Sequence, residues 1–304
     1  MKVLIALDNS DCSQLALSSV ISRPWPDESD IKVVHVLEPY DPINSTANEA
    51  QWSDWVETVN SQRKFSAQEM LANAVKRIKA SHANIEVTSE LLERYLPDQS
   101  IVEAAEQWSA DLIVLGSHSR RGLKRLLLGS IAHSVLQQAP CTVEIIKSQW
   151  SLVSEQLNVL VALDQSERAS QVLKTILQRP WPEHTSFKIL CVVQPAIDKC
   201  VGSDNPISAL SILEEDKEYI EQLQTDLAQK AKTLDSHLNS NTASFEVVAG
   251  DPREVILRRI EDWPAHLVLV GSQGKTGLQR LFIGSVSHAV ALHSWCSVEV
   301  VKTL

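Results

Sequence analysis

The chain has 304 residues, 44% hydrophobic and 22% charged, with a formal charge of −10. That length is about two ordinary domains, with enough apolar residues for two cores. The acidity argues against nucleic acid as the main partner, because a duplex-binding surface needs clustered Lys and Arg, and no apolar run reaches bilayer-spanning length.

In chain order the first half reads as strand Val3–Leu7, helix Asp11–Ile21, strand Ile31–Leu37, helix Gln62–Lys79, strand Ile85–Leu91, helix Gln99–Trp108, strand Leu112–Leu115, helix Ser130–Gln138 and strand Thr142–Ile146. The strands are short and β-branched, and the helices follow from apolar spacing. Tyr40–Asn60, rich in Asn, Ser and Thr, reads as a long crossing loop that covers the crevice. The second half repeats the alternation, with strands at Asn158–Leu163, Phe187–Val193, Ser244–Val248, Leu267–Val270 and Ser297–Val301. Strands apolar on both faces that alternate with helices give a parallel sheet covered on both sides. The expected architecture is α/β, with two tandem doubly wound domains, each a five-stranded parallel sheet flanked by helices.

The halves are a duplication. Asp8 and Asp164 stand 156 residues apart, as do the Arg-Pro-Trp-Pro segments at Arg23 and Arg179, and two glycine windows repeat at nearly that offset. The expected domains are 1–148 and 156–304, with the seam in the polar stretch from Lys147 to Gln156.

Seven of the nine glycines fall in those windows, Gly116 to Ser130 and Gly271 to Ser285. A chain this poor in glycine that concentrates it in two equivalent loops is shaping two equivalent sites. Each window reads as strand, glycine loop, helix. Doubly wound sheets bind ligands at the carboxyl ends of their strands, where Asp8 and Asp164 end strand one and face the loops. Gly271-x2-Gly274-x9-Gly284-Ser285 offers open amides, a helix N-terminus and a hydroxyl to a phosphate. The alternative is a tight structural turn with Ser285 capping the helix. The basic run Arg120-Arg121-Gly-Leu-Lys124-Arg125 is either a solvated helix entry or a phosphate neighbour.

Together these segments resemble the universal stress protein family in its tandem, two-domain form, over nearly the whole chain. The likeness rests on Asp164-Gln-Ser166, Gly250-Asp-Pro252, the Gly-x2-Gly-x9-Gly-Ser loop, and the closing strands Ala139-Pro-Cys-Thr-Val143 and Trp295-Cys-Ser-Val298. It implies an adenine nucleotide alpha hydrolase-like fold and an ATP-binding, stress-response regulatory protein. Asp164 and Val192 would take the nucleoside, and Gly271, Gly274, Gly284, Ser285 and Ser287 the ribose and phosphates. Ala162, Gly250, Val270, Ser272 and Val286 complete that set. The first half offers Asp8, Val36, Gly116, Gly129 and Ser130. It departs from the pattern where Ser119 replaces the second glycine and Tyr95-Leu96-Pro97 replaces Gly250-Asp251-Pro252, with Tyr95 adding a ring near the crevice rim. The expected ligand is therefore ATP, with Mg2+, held mainly by the second domain. The alternatives are a surface scaffold that binds no nucleotide and a slow ATPase.

The remaining residues point away from other chemistry. No His-x-Gly-His or Ser-Gly-Gly-x-Asp-Ser segment and no nucleophile beside a base is present, so at most weak ATP hydrolysis is expected. His118 is expected in a solvated loop, opposite Gln273. His133 and His288 lack metal-spaced partners and are expected at the surface or in capping roles. The five cysteines form no C-x-x-C, so no metal and no disulfide framework are expected, and Cys141 and Cys296 read as small buried hydrophobes. Trp25 and Trp181 are expected to pack on the sheet edge. With no leader in the N-terminal segment, the expected location is the cytoplasm. The apolar last strands need covering, which suits an intrachain pseudo-dimer of the domains and a homodimer, with no membrane partner.

Overall fold

The computed structural model describes residues 1–41, 49–117, 128–147, 156–166, 169–193, 206–238, 243–272 and 283–302. The chain divides into two compact units, residues 1–151 and 152–303. The first holds β1 (Lys2–Ala6), α1 (Asp11–Ser22), β2 (Asp30–Leu37), α2 (Glu49–Ser81), β3 (Glu86–Glu93), α3 (Pro97–Trp108), β4 (Leu112–Gly116), α4 (Ser130–Gln138) and β5 (Thr142–Ile146). The second holds β6 (Leu157–Leu163), α5 (Ala169–Leu177), β7 (Thr185–Val193), α6 (Pro206–Leu238), β8 (Ala243–Ala249), α7 (Pro252–Asp262), β9 (Leu267–Gly271), α8 (Ser285–His293) and β10 (Ser297–Val301).

Within the first unit the strands lie in the order β3-β2-β1-β4-β5, all parallel. The second unit repeats this as β8-β7-β6-β9-β10. The chain winds outward from β1 to β3, then returns to the other side of β1 for β4. The switch point therefore lies between β1 and β4, where a doubly wound sheet opens its crevice.

Strand alternation explains the unbroken apolar runs. Val3, Ile5 and Leu7 pack with Leu17 and Val20 of α1 and Leu71, Ala74 and Ile78 of α2. Leu4 and Ile113 point to the opposite face and are fully buried too. Each such Leu or Ile contributes ~1.5–3 kcal/mol, so both faces of the central strands are covered and their positions are mostly apolar.

The helix α2 begins at Glu49, so Glu49–Asn60 is helical where a crossing loop was expected; residues 42–48 lie outside the described residues. The polar composition hid a helical spacing in which Val59, Ala67, Leu71, Ala74 and Ile78 share one face. Asn60 is spent on a clamp, accepting from the Tyr40 N–H at 2.7 Å and donating to its carbonyl at 3.1 Å. Trp55 meets the Tyr40 ring edge-on at 5.5 Å.

The Arg-Pro-Trp-Pro segments fold alike. Trp25 and Trp181 donate their indole N–H to the carbonyls of Val20 and Ile176, both at 2.9 Å, and Trp181 meets Phe187 edge-on at 5.2 Å. The arginines turn inward. Arg23 lies 2.6 Å from the carboxylate of Glu144, and Arg179 2.8 Å from that of Glu299. Both glutamates are fully buried in the last strand of their unit, a position a lone carboxylate could not occupy. Cys141 and Cys296 are buried at the starts of the same strands.

Candidate functional site

The first unit opens a cleft of about 870 Å³ at the carboxyl ends of its strands. That is within the ~300–1,000 Å³ range of small-molecule sites. Asp8, Val36, Gly116, Gly129 and Ser130 all line it. Five residues spread over 122 positions of sequence, from Asp8 to Ser130, thus meet at the switch point. The far wall comes from α2, through Val59, Gln62, Arg63, Ser66 and Ala67. The Arg63 side chain has no polar partner among the described residues.

The floor of the cleft is built by an aspartate turn. The Asp8 carboxylate accepts from the Ser10 N–H at 2.9 Å and from its hydroxyl at 2.5 Å, and Ser10 in turn caps α1 by accepting from Ser13 N–H at 3.1 Å. Asp164 repeats the turn with Ser166, at 3.1 and 2.5 Å. In both units one carboxylate oxygen takes both bonds. The other oxygen of Asp164 is buried and has no partner among the described residues. A buried acceptor in that state costs ~1–3 kcal/mol, which a ligand donor would offset.

The glycine windows are closed at their bases by one backbone bond each. Gly129 N–H donates to the Ser117 carbonyl at 2.7 Å, and Gly284 N–H to the Ser272 carbonyl at 2.6 Å. These glycines are the N-caps of α4 and α8, with extended backbone and no side-chain cap bond. No side chain among the described residues caps the first-turn amides of either helix, in the place where the dipole favours an anion. Gly116 has a packing reason of its own, since a Cβ there would sit 2.6 Å from the backbone carbonyl of Cys12.

The second unit places Ala162 and Val270 opposite each other in the β6–β9 register, Asp164 just past β6, Val192 near the end of β7, and Gly271 and Ser272 at the end of β9. Ser285 is exposed at the start of α8 and Val286 is half-buried beside it. Ser287 is buried and its hydroxyl donates to the Gly271 carbonyl, so it staples α8 to β9. Gly274 lies outside the described residues, as do Ser119, Arg120, Arg121, Lys124, Arg125, His118 and Gln273.

The rim differs between units. Gly250 adopts φ +147°, and a Cβ there would lie 2.9 Å from Val255 Cγ2. Asp251 then caps α7, and the Arg253 fork, bonded at 2.7 and 3.0 Å, holds its carboxyl down at about 2. In the first unit Tyr95 is 61% exposed and does not line the cleft; Pro97 does. There α3 starts from Leu96, with negative φ and no side-chain cap bond.

Sequence reading missed four side chains. The buried Glu144 and Glu299 interrupt otherwise apolar strands at nearly the same offset as the arginines, 155 residues against 156, which was the available signal. His35, inside the apolar run of β2, lines the cleft. Arg63 gave no signal, because its part of α2 shows only a polar face.

Two doubly wound units with an aspartate turn and an uncapped glycine-led helix at their strand ends have the adenine nucleotide alpha hydrolase-like fold, in tandem. Residues 1–147 and 157–302 each match the model of the Universal stress protein family, and the chain belongs to that family. It is 28% identical over 278 residues to a universal stress protein of Mycobacterium tuberculosis, covering 87% of this chain and 84% of that one. A universal stress protein of Methanocaldococcus jannaschii is 32% identical over 146 residues, covering 48% of this chain and 81% of that one. Among solved structures, a universal stress protein from Archaeoglobus fulgidus superposes with TM-score 0.58 at 21% identity, covering 99% of this chain and 96% of that one.

Proposed function

We propose that this protein binds ATP, with Mg2+ on its phosphates, and that occupancy rather than turnover is its output, as a cytoplasmic stress-response regulator. The observation that carries this reading is the first-unit cleft, where Asp8, Val36, Gly116, Gly129 and Ser130 converge. The nucleoside lies at the aspartate turn, and the phosphates lie at the uncapped amides of α4, within a cleft that also presents the Arg63 guanidinium. In the second unit the same roles fall to Asp164 and Val192, and to Gly271, Gly274, Gly284 and Ser285. The unpartnered oxygen of Asp164 supports that assignment. The glycine spacing is complete only there, so the second unit is the primary site and the first an additional one. Pairing of the two domains within the chain, and of two chains as a homodimer, belongs to the same proposal and is read by light scattering with and without ATP.

Calorimetric titration of nucleotide-stripped full-length protein with ATP and Mg2+ tests the reading. Saturable heat at both units is expected. No heat at either would overturn it and leave a protein that acts through its surface. Phosphate release above a slow background would replace the regulator with an ATPase.

A further inference from the structure

His35 is 8% exposed, stands in β2 and lines the first-unit cleft. Its Nδ1 lies 2.7 Å from the Leu7 carbonyl. A carbonyl can only accept, so Nδ1 carries a proton, and in the neutral ring Nε2 is then an acceptor. Nε2 has no partner among the described residues, and it is not among the sealed, unpartnered polar atoms. It is therefore an anchored acceptor open to the cleft. The repeat offset puts Cys191 at the same place in β7, 1% exposed, where no such acceptor exists.

We infer that His35 is a specificity residue of the first unit, accepting through Nε2 a hydrogen bond from an N–H or O–H donor of the bound nucleotide. The inference rests on the nucleotide reading and deepens it, for it gives the two units unequal selectivity. The first unit reads the ligand with two acceptors, Asp8 and His35, and the second with Asp164 alone. Two groups on ATP supply this donor chemistry, the adenine amino group and the ribose hydroxyls.

The test uses the full chain carrying Gly284→Asp, which fills the N-cap of α8 with a carboxylate and repels phosphate there. ATP, inosine triphosphate, 2′-deoxy-ATP and 3′-deoxy-ATP are titrated into this protein and into its His35→Cys and His35→Asn derivatives. His35→Asn retains an N–H in reach of the Leu7 carbonyl and places no atom at Nε2, so it isolates the acceptor from the anchor. ATP should weaken about three- to tenfold in both derivatives, the loss of one neutral hydrogen bond. The analogue that lacks the donor should bind parent and derivatives equally. That analogue is inosine triphosphate if the amino group is read, and a deoxy form if a hydroxyl is. Equal weakening of every ligand, or of none, would overturn the inference while leaving the nucleotide reading intact. Absence of ATP binding in the parent, with binding retained before Gly284→Asp, would overturn this inference together with the first unit's site. Absence of binding in both would overturn the nucleotide reading as well.

Discussion

A backbone N–H at the start of the first strand is met by a carboxylate in one unit and by an imidazole in the other. Lys2 N–H donates to Asp111 at 2.7 Å, and Asn158 N–H donates to His266 Nδ1 at 2.9 Å. Around each pair the return bond is the same, with Asp111 N–H on the Lys2 carbonyl and His266 N–H on the Asn158 carbonyl, both at 2.9 Å. The rim follows suit, with exposed Tyr95 in one unit and positive-φ Gly250 in the other, and so does the cleft, with His35 against Cys191. Both halves kept this pair of backbone bonds, because an unpaired buried amide is costly. They changed the side chains around them, and so acquired different chemistry.

What is identical in the two units should break with the largest effect. Arg23→Met leaves Glu144 buried without its cation and should cost about 3–5 kcal/mol in urea denaturation, and Arg179→Met should do the same to Glu299. Adding Glu144→Leu to Arg23→Met should recover most of the loss, since a well-packed apolar pair replaces a buried ion pair at little cost. A loss below about 1 kcal/mol for either arginine would show that the two pairs are not equivalent.

Exchanging the rims sharpens the comparison. Gly250→Tyr forces a side chain into φ +147° and against Val255, and should cost about 1–3 kcal/mol in thermal unfolding. Tyr95→Gly removes only an exposed ring and should cost under about 1 kcal/mol, through unfolded-state entropy. Equal costs would mean that the first rim is as constrained as the second.

The smallest effect is a pH dependence of the second unit. Burial pushes the His266 imidazole below its ordinary value, and its Nδ1 is already accepting from Asn158. The unfolded chain therefore takes up the proton first. The second unit keeps its full stability above about pH 6.5 and loses part of it as pH falls from there toward the folded-state value. Its melting temperature should drop between about pH 7.5 and 5.5, and His266→Asp, which installs the first unit's residue, should flatten that profile. A profile unchanged by His266→Asp would assign the effect elsewhere.

Much of this was legible in the sequence, because the fold's strongest signals are local and doubled. Apolar runs such as Leu112–Leu115 and Leu267–Val270 could only be buried parallel strands, and the offset from Asp8 to Asp164 fixed the duplication. The start of α2 was not legible, because its early turns carry Asn, Ser and Thr on a largely exposed helix, where composition resembles a loop. Arg23 and Glu144 stand far apart in the chain, and only their near-repeat as Arg179 and Glu299 links them. Among the candidate residues, Asp8 and Gly129 were readable from strand and loop positions. His35 was not, since a histidine within Val-Val-His-Val-Leu looks like core until its anchor on Leu7 shows which nitrogen is left open.

The most direct test is an ATP titration of the full chain bearing Gly129→Asp or Gly284→Asp. An N-cap aspartate accepts the first-turn amides of α4 or α8, which favours folding, and sets a negative charge where phosphate would lie. Each variant should remain folded and lose affinity at its own unit by at least about 100-fold, on the order of 3 kcal/mol, while the other unit binds as before. If both variants, and their combination, bind ATP as the parent does, the nucleotide is not held at these helix N-termini and the account is wrong.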